Sequence, residues 1–143
     1  PHLPSLKSIC LCKYTTYRSP NPPEQLREAM PAVTTCSYAD VTALRAWAPQ
    51  LVALREYRHS DECDALLAAC TNLRELECQW TYPPPRALPA SLRVLDLGRN
   101  PYSAADWGQV ARQCPHLEHV RLNQLPEDCD APLPSVQTLF VDS

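Results

Sequence analysis

The stretch Ser91-Leu92-Arg93-Val94-Leu95-Asp96-Leu97-Gly98-Arg99-Asn100 decides how the rest of the chain is read. It spells L-x-x-L-x-L-x-x-N at Leu92, Leu95, Leu97 and Asn100. The same spacing returns at Leu117, Val120 and Leu122, and at Leu73, Leu76 and Cys78. Val136, Leu139 and Val141 repeat it near the last residue, and Leu6, Ile9 and Leu11 near the first. Val33, Cys36 and Tyr38 form a weaker copy. A seventh copy lies near Leu51 and Leu54, in one of two registers. Leu51, Leu54 and Glu56 would bury a carboxylate. Leu54, Tyr57 and His59 would bury amphipathic groups, which costs less, so this second register is favoured. The copies then start at 6, 33, 54, 73, 92, 117 and 136, with spacings of 27, 21, 19, 19, 25 and 19 residues.

A self-similar period of about 20–29 residues carrying this pattern resembles the leucine-rich repeat, and here it covers the whole chain. The resemblance implies an α/β solenoid of about seven irregular repeats. Each repeat would give one short parallel strand to a concave face, and the Asn of the pattern would satisfy backbone groups as the chain leaves the strand. Cys70 and Cys114 each stand three residues before a first-position leucine, in Cys70-Thr71-Asn72-Leu73 and Cys114-Pro115-His116-Leu117. In this the chain partly resembles the cysteine-containing subclass of repeats found in F-box-associated substrate-recognition subunits. Ala48 or a neighbour would fill the equivalent slot of the third repeat.

The connections divide into two kinds. Segment 21–30 carries a polar cap candidate, Asn21, then Pro22, Pro23 and an acid, which predicts a helix. Asp40 is placed to cap a helix over 41–47 with Val41, Leu44 and Trp47 on one face. Ser60 leads into Cys63, Leu66, Leu67 and Cys70. Ser103 leads into Trp107, Val110 and Cys114, with Asp106 at the third helical position. Segments 82–89 and 126–134 are proline-rich and predict extended returns. Helices and extended segments would thus mix along the convex side.

Composition bounds the function. The chain has 143 residues, 45% hydrophobic and 20% charged, enough for one domain with a packed core. Sixteen prolines against two glycines imply stiff connections. A net charge of −3 offers no basic surplus for nucleic acid, and none is expected as a partner. No apolar run approaches the ~20 residues of a membrane span. The chain starts mid-pattern at Pro1 and shows no capping repeat at either end, so residues 1–143 are read as a single domain excerpted from a longer chain.

The eight cysteines admit a secreted disulfide framework or reduced, buried thiols. Their spread over several repeats favours reduced thiols and an intracellular, cytoplasmic location. Cys10-x-Cys12 is poor geometry for a tetrahedral metal site. His59, Asp61, Glu62 and Cys63 could assemble a nucleophile, base and acids, but they coincide with a helix start, where Ser60 and the acids are explained by capping. No phosphate loop or hydrolase motif occurs, and neither catalysis nor a cofactor is expected.

Strand residues between the core positions point to the concave side. The candidate partner-binding residues are Glu75, Glu77, Gln79, Asp96, His119, Arg121, Asn123 and Phe140, with Trp80 as an aromatic anchor beside the proline run. The middle outward position runs Cys10, Ser37, Glu77, Asp96, Arg121, Phe140. Adjacent Glu77 and Asp96, with Glu75 beside them, predict an acidic central patch suited to a basic segment of a partner protein. The expected function is a non-catalytic protein-binding scaffold, part of a larger assembly. The alternatives are a substrate-recognition adaptor of a ubiquitin ligase, a cysteine-dependent enzyme and a secreted receptor ectodomain.

Overall fold

The computed structural model describes residues 2–10, 23–38, 41–58, 60–78, 85, 87–98, 103–122 and 136–141, with the backbone alone at 61, 104 and 140. Seven strands run parallel and stack in chain order into one open sheet. They are β1 (Ser8–Cys10), β2 (Thr35–Ser37), β3 (Ala53–Tyr57), β4 (Glu75–Cys78), β5 (Val94–Asp96), β6 (His119–Leu122) and β7 (Thr138–Val141). Parallel neighbours need a crossover, and four crossovers contain α-helices. These are α1 (Pro23–Ala29), α2 (Val41–Trp47), α3 (Asp64–Ala68) and α4 (Ala104–Gln113).

The period found in the sequence becomes a ladder of side chains. Ile9, Cys36, Leu54, Leu76, Leu95, Val120 and Leu139 stand side by side at the centre of the strands. Three residues earlier, Val33, Leu51, Leu73, Leu92 and Leu117 form a second, fully buried row. Tyr57, Cys78, Leu97 and Leu122 form a third. Each fully buried leucine contributes about 1.5–3 kcal/mol of transfer free energy. In β7, by contrast, Leu139 and Val141 are exposed.

The backbone repeats as faithfully as the side chains. The carbonyl of the residue after each first-position residue of the pattern accepts two N–H bonds from the next unit. Lys7 thus accepts from Thr34 and Thr35, Thr34 from Val52 and Ala53, and Val52 from Arg74 and Glu75. Arg74, Arg93 and Glu118 continue the series. This ladder corrects the third unit. Its first position is Leu51, not Leu54, because Val52 takes the place of Thr34 and Arg74. Neither register read from the sequence holds in full: a β-bulge between Leu54 and Tyr57 inserts one residue, and Tyr57 reaches the third row opposite Cys78. The bulge spares Glu56 from that row. His59 lies outside the described residues.

The start of α4 agrees with the sequence. α4 begins with a complete capping box: Ser103 Oγ accepts from Asp106 N at 3.2 Å, and Asp106 Oδ2 accepts from Ser103 N at 3.0 Å. Replacing Ser103 with Ala should lower stability by about 1 kcal/mol in urea unfolding, and an unchanged midpoint would show the cap to be idle. Ser60 behaves otherwise than expected. It makes no cap bond; its hydroxyl lies 3.2 Å from Cys63 Sγ, and a 3₁₀ turn, Asp61–Cys63, precedes α3. α1 starts at Pro23, whose missing N–H is harmless there. Asn21 and Asp40 lie outside the described residues, as do Asn100, segment 126–134 and half of 82–89.

Trp47 and Trp107 fill the core, at 0% and 1% exposure. Cys36, Cys63, Cys70, Cys78 and Cys114 are buried free thiols, and Cys10 is an exposed one. Cys70 and Cys114 occupy one slot: each carbonyl closes a turn onto the first-position leucine three residues on, and Ala48 does the same for Leu51. No described helix is long and apolar enough to cross a membrane.

Candidate functional site

Because side chains alternate along a strand, burying the three rows leaves two rows on the opposite face, free of helices among the described residues. One runs Ser8, Thr35, Ala53, Glu75, Val94, His119, Thr138, and the other Cys10, Ser37, Arg55, Glu77, Asp96, Arg121, Phe140. Every described residue of these rows except Ala53 is half-buried or exposed.

The structure brings Glu75, Glu77, Asp96, His119 and Arg121 together on this face, at the strand positions the alternation predicts. Gln79, Trp80, Asn123 and the side chain of Phe140 lie outside the described residues.

The electrostatic pattern differs from a purely acidic patch. Arg55 stands beside the acids on the β3 side, with Nη2 3.8 Å from Glu75 Oε2. On the β6 side, Arg121 Nη1 lies 3.8 Å from Asp96 Oδ2. The acids Glu75, Glu77 and Asp96 are therefore bracketed by two arginines. Arg55 was hidden because the third unit's register set its place. Both pairs are half-exposed, so each adds at most about 1 kcal/mol of stability; they set the charge pattern. Asp96 is further fixed by accepting from Gly98 N at 2.9 Å. Gly98 has φ 58°, a left-handed turn that suits glycine, where the chain leaves β5.

Across β5–β7 the face sinks into an open depression of about 310 Å³. Val94, Asp96, His119, Arg121 and Thr138 line it. Val94 and Thr138 join the candidate residues here. Their outward alternation was legible, but small uncharged side chains give no signal of their own. The depression combines an apolar floor with an imidazole, an anchored carboxylate and a guanidinium. It can seat an apolar side chain and offer polar contacts around it.

Of the cluster His59, Asp61, Glu62 and Cys63, the two described side chains lie in different settings. Glu62 is exposed, 3.9 Å from Arg45, while Cys63 is buried against Ser60. His59 and the Asp61 side chain lie outside the described residues. Among the described residues no group of three or more His, Cys, Asp or Glu is arranged to hold a metal. Cys10 is exposed, and Cys12 lies outside them.

No protein-family model matches the chain, and no curated protein matches it.

Proposed function

We propose that the chain is a segment of a leucine-rich-repeat solenoid and serves as a non-catalytic protein-binding scaffold, with the helix-free face as its concave docking surface. The observation that carries this reading is the parallel stack: the seven strands, with one bulge in β3, present two outward rows as a broad, mixed-charge surface. Solenoids use such surfaces for extended contacts. The partner is a protein segment that meets Glu75, Glu77 and Asp96 with basic groups and fills the depression with an apolar one. Five buried cysteines outside any disulfide support an intracellular setting, where cysteines stay reduced.

A second reading, a substrate-recognition adaptor of a ubiquitin ligase, draws on the shared slot of Cys70 and Cys114 before their leucines. An F-box segment in the full-length protein would favour it.

Cross-linking of the full-length protein in its native cells, followed by mass spectrometry, tests the scaffold reading. The expected result is a reproducible partner cross-linked around 74–78, 93–98 and 119–122. Glu75→Lys should cut its recovery at least tenfold, because it sets like charges across the interface, which cost several kcal/mol. Arg112→Glu, on the exposed side of α4, should leave it unchanged. Equal recovery with both variants would place binding elsewhere and end the reading.

A further inference from the structure

The bulge in β3 does more than restore the core register. It puts Arg55 and Glu56 where the neighbouring strand has Glu77 alone. Glu56 pays twice for this position. Its backbone is left-handed, φ 47°, a conformation that side-chain-bearing residues rarely adopt. Its Oε2 is buried, and no described residue bonds it. Tyr38, at the end of β2, is also left-handed, φ 53°, and its N–H donates to the Arg55 carbonyl at 2.8 Å. Two strained residues therefore meet where the carboxylate sits.

Charge on this face completes the case. Arg55 answers Glu75 and Arg121 answers Asp96, so the face's two arginines are engaged. Glu56 Oε2 has no hydrogen-bond partner among the described residues. An unpaired buried carboxylate is tolerated where a later partner supplies the cation. The residue as a whole is half-buried, so rotation about its side-chain bonds brings the carboxylate within reach.

We propose that Glu56 is the specificity residue of the docking face, and that it receives the lysine or arginine of an extended partner segment whose apolar side chain fills the β5–β7 depression. This rests on the face being a protein-docking surface. The spacing follows from geometry. The depression centres on β6, three strands from β3, which is about 14 Å at ~4.8 Å per strand. An extended segment crossing the strands advances about 3.3 Å per residue, so the basic and apolar residues stand about four apart. Glu75 and Glu77 lie along the same path and favour further basic residues near the first.

The test is selection of displayed random peptides of about a dozen residues against the full chain. Such peptides span ~40 Å when extended, more than the ~29 Å width of seven strands. Selected peptides should carry Lys or Arg about four residues from an apolar residue. Their affinity should fall at least tenfold with Glu56→Gln and stay constant with Arg112→Glu. Peptides that lose affinity with Glu75→Lys but ignore Glu56→Gln, or that lack basic residues, overturn the role of Glu56 and leave the docking face standing. Peptides indifferent to both variants, or no selected peptides at all, overturn both. A melting measurement guards the variant: Glu56→Gly, which relieves the left-handed backbone and the unanswered charge, should raise Tm by several degrees. A fall in Tm would show that the carboxylate has a structural partner, and would equally overturn the proposal.

Discussion

Raising the pH from about 8 to about 10.5 should strip the protein of most of its stability, well before its arginines titrate. The cause is the buried thiols. Burial pushes Cys36, Cys70 and Cys114 each up to about 12, from an ordinary value near 9. Below pH 9 the folded and unfolded chains both hold these protons, and the stability from burying the thiols is fully present. Above it the unfolded chain ionises first and the native state does not. Stability is then lost progressively as the pH rises from 9 towards 12, by up to about 1.4 kcal/mol per pH unit for each thiol. Three thiols together approach ~4 kcal/mol per unit, against a typical total of about 5–15 kcal/mol. Tyr57 acts in the same direction: burial first, then bonding with Cys63, pushes its hydroxyl above the usual phenol range.

Urea unfolding followed by circular dichroism across this range is the direct check, in the presence of a reductant. A midpoint that does not move between pH 8 and pH 10.5 would refute the argument. Alkylation gives a companion readout. Near pH 8 iodoacetamide should modify Cys10 and spare Cys36, Cys70 and Cys114. With their ionisation moved up by about three pH units, their thiolate population falls ~10³-fold relative to unfolded chain. Rapid labelling of the three in native buffer would show that the core opens far more readily than its packing implies.

Trp47→Ala should be the most damaging single substitution, costing about 3–5 kcal/mol. Trp47 is fully buried at the end of α2. Its indole Nε1 donates to the Met30 carbonyl at 3.0 Å, so the ring ties the α2 turn to the segment that enters β2. Truncation empties a large volume between elements held by their own strand ladders, which limits collapse into the gap. It also leaves a carbonyl without its donor. Trp47→Phe separates the two effects, because the ring volume is mostly kept. Its loss should be about 1–2 kcal/mol, chiefly the unanswered carbonyl. Circular dichroism in urea reads both variants without relying on tryptophan fluorescence. A loss below about 1 kcal/mol for Trp47→Ala would mean that the α2 region is not part of the cooperative core.

Much of the architecture was legible from Leu92, Leu95 and Leu97 alone. A leucine that recurs at the same offsets can be buried repeatedly only if each copy makes the same strand, and copies of similar length stack in chain order. The outward positions of Glu75, Glu77, Asp96, His119 and Arg121 followed from the two-residue alternation of strands. Ser103 and Asp106 announced their capping box because that motif is local, complete within four residues.

The third unit was not legible. Leu51, Leu54 and Tyr57 are all apolar, and a bulge breaks the fixed offset between them, so periodicity cannot rank the registers. The choice was made by the neighbours. Only when Val52 bonds Thr34 on one side and Arg74 bonds Val52 on the other do all seven units share one ladder. That tertiary decision placed Arg55 against Glu75 and turned an acidic patch into a bracketed one. It also left Glu56 strained and unanswered. Local pattern determined which residues face inward and which outward; pairing between distant strands decided which outward charges meet, because hydrogen-bond register is a property of two segments and is written in neither alone.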